Sequence, residues 1–209
     1  MSTVVSTRSG RDPRFGMVAI PFLTSGFAAL TYQVCWQRLL FAAFGADIES
    51  ITIIVSSFML GLGVGAHVGG QLADAFPRRI VALFAGAELA IGLFGLASPL
   101  LIAWVAQLTL QAAPATVAVA NFALILLPTT LMGATLPMLV AFLVQKSANV
   151  GVSIGGLYFI NTLGAAIGAA AVGLVLLHHL DLVETIYFAA ALNFFAAALL
   201  VWQSRRERA

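Results

Sequence analysis

Apolar residues fill six long stretches of this chain, and polar residues gather in the short gaps between them. The stretches are Met17–Phe44, Ser50–Ala73, Ile80–Leu108, Pro114–Val144, Val150–Leu177 and Leu182–Trp202. A bilayer-crossing helix needs about 20 mainly apolar residues, and each stretch is that long. The pattern predicts an all-α bundle of six membrane spans. The connections are short: Gly45–Glu49, Phe76–Arg79, Gln107–Ala113, Lys146–Asn149 and His178–Asp181. Residues 1–16 are polar and rich in Ser and Arg, which predicts a disordered tail. Residues 17–203 then form one transmembrane domain, and 204–209 a basic tail.

Charge orients the bundle. Nine of the ten Lys and Arg residues fall at Arg8, Arg11, Arg14, Arg78, Arg79, Lys146, Arg205, Arg206 and Arg208. These positions are the two ends and every second connection. The remaining connections carry Asp47 and Glu49, no charge, or Asp181 next to Glu184. Cytoplasmic loops are enriched in Lys and Arg. Both termini are therefore expected in the cytoplasm, and the membrane is expected to be an inner (plasma) membrane of bacterial type. The basic residues hug the membrane boundaries, where they suit lipid head groups, and no nucleic-acid module is present. The first stretch exceeds the 7–15 residues of a signal-peptide core, so it reads as a permanent span. Cys35 is alone in an apolar run, the setting of a small buried hydrophobe. His178 and His179 are adjacent but form only a weak metal signal. No cofactor or metal is expected.

Small residues recur at four-residue intervals in two spans. The second holds Ser57, Gly61, Gly65 and Gly69; the fifth holds Gly164 and Gly168. Such stripes let helix backbones approach closely in lipid, either within the bundle or against a second molecule. Pro128 and Pro137 interrupt the fourth span, and each removes a backbone donor.

Ionisable groups inside a membrane are costly and mark candidate sites. Three occur here: Arg38, His67 and Glu88. Glu88 lies eight residues into its span, roughly 12 Å deep at 1.5 Å per residue. His67, Tyr158 and Asn161 lie at comparable levels, so these four form a candidate polar layer if their spans are adjacent. Such a layer suits a small cation or a proton relay. The alternative is hydrogen bonding between helices. Thr130, Thr135 and Asn193 also lie near mid-depth.

Four motifs occur in order. They are Ser25-Gly-Phe-Ala-Ala-Leu-Thr-Tyr-Gln-Val-Cys-Trp-Gln-Arg-Leu-Leu40, then Phe58-Met-Leu-Gly-Leu-Gly-Val-Gly-Ala66, then Leu131-Met-Gly-Ala-Thr-Leu-Pro137, then Gly156-Leu-Tyr-Phe-Ile-Asn-Thr-Leu-Gly-Ala165. Together they resemble the membrane module of the spermidine-synthase-like proteins, often described as fused major-facilitator/spermidine-synthase proteins. Gln33 stands where that pattern usually has an acid. The soluble aminopropyltransferase-like domain of the larger relatives, with its Gly-rich nucleotide turn, is not found here. The connection Gly70-Gln-Leu-Ala-Asp-Ala-Phe-Pro-Arg-Arg79 resembles the second loop of major-facilitator transporters, which responds to conformational change. Gly70, Asp74, Arg78 and Arg79 match that pattern; Ala75 and Pro77 depart from it.

The resemblance implies a bundle like one half of a major-facilitator transporter. Lacking a catalytic constellation, the chain is expected not to be an enzyme. It is expected to anchor or assemble another protein, a synthase-like one or a membrane partner. The alternative is a half-size transporter of a small, polyamine-like cation, a homo-oligomer acting as a dimer in the lipid bilayer.

Overall fold

The computed structural model describes residues 13–44, 48–144 and 150–206. Among them every regular element is helical, and six helices are long and apolar enough to cross a membrane. They are α1 (Pro13–Phe44), α2 (Ile48–Ala75), α3 (Ile80–Leu108), α4 (Pro114–Val144), α5 (Val150–Ala171) and α6 (Leu182–Arg206). Helix α5 runs on through a π-helical turn, Val172–Leu176, and a last turn at Leu177–His179.

The helix ends follow local chemistry. Pro114 opens α4, at the first position, where a missing N–H costs nothing. Between α2 and α3 the chain makes a short 3₁₀ turn over Pro77–Arg79. Asp181 and Glu184 cap α6 reciprocally: the Glu184 N–H donates to Asp181 Oδ1, and the Asp181 N–H to Glu184 Oε2. This is a capping box in form. Several boundaries differ from the hydropathy pattern. Residues 13–16, expected in a disordered tail, are already helical in α1, and α2 runs two residues past its apolar stretch at each end. His178 and His179 are helical, so the connection before α6 is only Leu180–Asp181. Helix α6 also runs past its apolar stretch to Arg206, whose guanidinium lies 3.9 Å over the Trp202 ring, a cation–π contact. The connection Lys146–Asn149, and Asp47, lie outside the described residues.

Helix α2 packs chiefly on α4, α5 on α1, and α3 on α6; α6 also packs on α1, and α3 on α4. Helices α2 and α5 are the least covered of the six. Arg78, Arg79, Arg205 and Arg206 gather at one end of the bundle. The turn Thr109–Ala113 and the α6 cap lie at the other. One apolar cluster centres on Tyr32, Trp36, Phe58, Ile91 and Ile186. A second, toward the arginines, holds Val18, Phe22, Phe84, Leu139 and Leu200. Large apolar side chains such as Leu93, Leu100 and Phe159 face outward, as lipid-facing positions do.

The glycine stripes lie inside the bundle. A methyl on Gly61 would strike the Thr129 side chain, one on Gly65 the Thr130 carbonyl, and one on Gly69 the Ala134 carbonyl. Gly133 presents the same closeness to the Leu62 backbone. On the other side Gly164 and Gly168 abut the Leu23 and Phe27 carbonyls. Ser57 extends the α2 stripe and is fully buried. Van der Waals packing between backbones is the chief force between helices in lipid, so these two seams hold the peripheral helices on.

Candidate functional site

Glu88 is the centre of the buried polar chemistry. It projects from α3 and is completely buried. The Ser25 hydroxyl of α1 donates to its Oε1 at 2.6 Å, and the Asn193 amide of α6 donates to its Oε2 at 2.7 Å. The carboxyl thus links three helices. Gly92 makes this possible: its missing side chain lets the Phe194 ring of α6 settle where a methyl would be 2.6 Å away. That close approach carries the neighbouring Asn193 to Glu88.

The polar seam continues along α1 and α3. Two turns beyond Ser25, Tyr32 sets its hydroxyl against Gly95. Its ring stacks on Trp36, with centroids 4.7 Å apart and planes at 19°. The Trp36 indole donates to Ser98 Oγ at 2.8 Å, and Ser98 donates on to the Gly95 carbonyl. The Tyr32 hydroxyl and Asn193 Oδ1 are buried without a hydrogen-bond partner. A carboxyl so enclosed can hold a proton or knit helices together. When it is protonated, the Ser25 hydroxyl turns from donor to acceptor.

The four residues grouped by depth are not brought together. His67 faces outward on α2, with its Nε2 3.0 Å from Gln71 Nε2. The reason is angular. His67 lies two residues from both Gly65 and Gly69, about 200° around a helix of 3.6 residues per turn, and those glycines face α4. Tyr158 is 63% exposed on α5. Asn161 turns inward, but toward α1, where its amide donates to the Phe22 carbonyl at 3.1 Å across Gly26. Thr130 and Thr135 bond carbonyls of their own helix, Leu126 and Met132. Asp74, Arg78 and Arg79 are exposed at the basic end, and a methyl on Gly70 would meet nothing. Arg38 is exposed on α1. Among the described residues no cluster of His, Cys, Asp or Glu is arranged to hold a metal.

Ser25 is the partner that residue-by-residue reading passed over. Its signal was present, because it stands eight residues after Met17, as Glu88 stands eight after Ile80.

Compared with known proteins, the chain is 24% identical over 195 residues to a polyamine aminopropyltransferase of Oceanobacillus iheyensis. The match takes in 90% of this chain and 36% of that protein. The chain thus spans about a third of the length of the curated relative it matches. No family profile and no solved structure matches. The likeness to half of a major-facilitator transporter gains no support from these comparisons. One expectation is overturned. The chain was expected not to be an enzyme, yet the relative it matches is one. The missing nucleotide turn was sought in a stretch equivalent to about a third of that relative, which is no ground for excluding activity.

Proposed function

We propose that this chain is the membrane-embedded part of a polyamine aminopropyltransferase system, holding the aminopropyl-transferring part at an inner membrane. The observation that carries this reading is the match itself: nearly all of a six-helix bundle aligns with about a third of an enzyme. The transferring part is either a further stretch of one polypeptide or a separately made protein. The basic end of the bundle, with Arg78, Arg79, Arg205 and Arg206, faces the cytoplasm in this reading, by the enrichment of cytoplasmic loops in Lys and Arg.

The architecture favours a scaffold over a cation carrier. A carrier built on Glu88 needs that carboxyl to meet water and substrate. Glu88 is fully buried, and both its oxygens are engaged by the bundle's own donors. The cation-transport alternative, with the chain working as an oligomer, therefore ranks second.

The test is co-expression of the tagged chain with the aminopropyltransferase of the same genome, followed by membrane fractionation and extraction in mild detergent. Enzyme retained with the chain, and membrane-bound aminopropyl transfer that vanishes when the chain is omitted, is the expected result. An aminopropyltransferase equally soluble with and without the chain sinks the proposal. Polyamine uptake into liposomes by the purified chain, lost in Glu88→Gln, would promote the carrier reading instead.

A further inference from the structure

A cavity of about 600 Å³ opens at the end of the bundle away from Arg78 and Arg79. Four helices build it. Leu40 of α1, Ile53 and Ile54 of α2, Ala106 of α3, and Ala115 and Ala118 of α4 make aliphatic walls. Ligand sites are typically about 300–1,000 Å³, mostly apolar, with a few placed polar groups. Among the described residues the lining carries no charge. Its two polar side chains are Thr109 and Asn121.

These two differ in what they have left to offer. The Thr109 hydroxyl donates its one proton to the Val105 carbonyl, at 2.7 Å, which leaves its oxygen only to accept. Asn121 lies seven residues inside α4, roughly 10 Å below its first residue at 1.5 Å per residue. It is 8% exposed, and its Oδ1 has no hydrogen-bond partner. A buried polar atom left unpaired costs about 1–3 kcal/mol. Oδ1 is itself covered, so the cost is removed when the amide turns to a molecule in the cavity that supplies the bond. The terminal torsion of Asn is broad, so either end of the amide can be turned to the cavity. A hydroxyl, donor and acceptor at once, satisfies whichever end is presented. Among the described residues a charged head finds no counter-charge on these walls, and burying an unpaired charge is far more costly.

We infer that this cavity binds an uncharged aliphatic molecule bearing a hydroxyl, with its chain against the Ala, Ile and Leu walls and its hydroxyl on the Asn121 amide. A free long-chain alcohol and a monoacylglycerol of the membrane share this chemistry.

The experiment uses the whole chain in lipid nanodiscs and a ten-carbon alcohol carrying a photoreactive diazirine. Cross-links are mapped by mass spectrometry, with decanol, decane and decylammonium as competitors at equal membrane concentration. Labelling concentrated at residues 106–118 is expected, with decanol displacing the probe at least tenfold better than decane or decylammonium. Ala118→Trp should abolish the labelling by filling the cavity. Asn121→Leu should erase the preference for decanol over decane while leaving the cavity open. Native mass spectrometry of the chain released from its own membrane separates the sources. A retained monoacylglycerol mass identifies a lipid ligand, and an empty chain that takes up added decanol identifies a free alcohol. Labelling spread over all lipid-facing helices, or equal competition by decane, overturns the inference. So does stronger competition by decylammonium. The competition series needs only the wild-type chain, so it decides the matter even if a variant fails to fold.

Discussion

Asn193 of α6 donates its amide to Glu88 of α3 across 2.7 Å, and this bond closes a three-helix junction that Ser25 completes from α1. Both donors point at the carboxyl, so its removal strands two of them. Glu88→Ala should therefore destabilise the fold by about 1–3 kcal/mol for each donor left unpaired. Glu88→Gln keeps an oxygen for Asn193, and its amide can meet the Ser25 hydroxyl turned to accept. It should cost less than about 1 kcal/mol, in keeping with the roughly 0.6 kcal/mol average for hydrogen bonds between membrane helices. Thermal unfolding of both variants in one detergent checks this. A Gln variant as unstable as the Ala variant would show that the junction needs the carboxyl itself.

The α2 seam gives a comparison within a single helix. Gly65→Ala puts a methyl onto the Thr130 carbonyl, whereas Gly63→Ala meets nothing within 4 Å. Overpacking of this kind costs about 1–3 kcal/mol. Removing an exposed helical glycine gains about 0.5–1 kcal/mol. Gly65→Ala should lower the folded fraction on size exclusion, and Gly63→Ala should match or exceed the wild type. Equal tolerance of the two would mean that α2 does not sit on α4 as described.

Trp36 and Ser98 make a local test of the seam between α1 and α3. Ser98→Ala leaves the buried indole N–H without its acceptor, at a cost of about 1–3 kcal/mol. Trp36→Phe removes donor and need together, though it leaves unfilled space. Combining the two changes should cost less than the sum of the single ones, because they share one interaction. Strict additivity in thermal unfolding would argue against the bond.

The orientation proposed for the bundle is open to cysteine labelling. Cys35 is fully buried, so Cys35→Ala supplies a silent background. Cysteines placed at Arg78 and at Leu110 sit at exposed, opposite ends of α3. An impermeant maleimide added to intact cells should label position 110 and not position 78. The reverse pattern would invert the topology.

The span pattern was legible because lipid imposes it. The apolar run Ile80–Leu108 matches α3 at both ends, each bounded by a turn, and the run from Pro114 matches the start of α4. What the residues did not disclose was azimuth, the side of each helix that meets a neighbour. Counting along the chain gives depth, so His67 looked level with Glu88, yet it faces away from the packed side of α2. Serine was missed for a related reason. In helices a hydroxyl usually bonds its own backbone, as Thr24 and Thr31 do. Ser25 lies between them in sequence but donates across to another helix. Only the pairing of α1 with α3 decides between those habits. The end cavity was equally hidden, because four helices contribute to it and none of its lining residues is unusual alone.

The π-helical turn at Val172–Leu176 has a consequence for how α5 can change length. Up to its first residue, Leu157, Gly164, Gly168 and Val172 line the side that is covered. From its last residue on, Leu176 and Leu177 pack against the cluster around Trp36. A π turn is one residue wider than an α turn, so it resets the angular phase between these two segments. Deleting a single residue from 172–176 should leave an ordinary α-helix, with its final turn rotated by about 100°. Leu176 and Leu177 would swing off the cluster, while the glycine seam on α1 stayed in register. The lower part of α5 and its last turn are thus mechanically separate rulers.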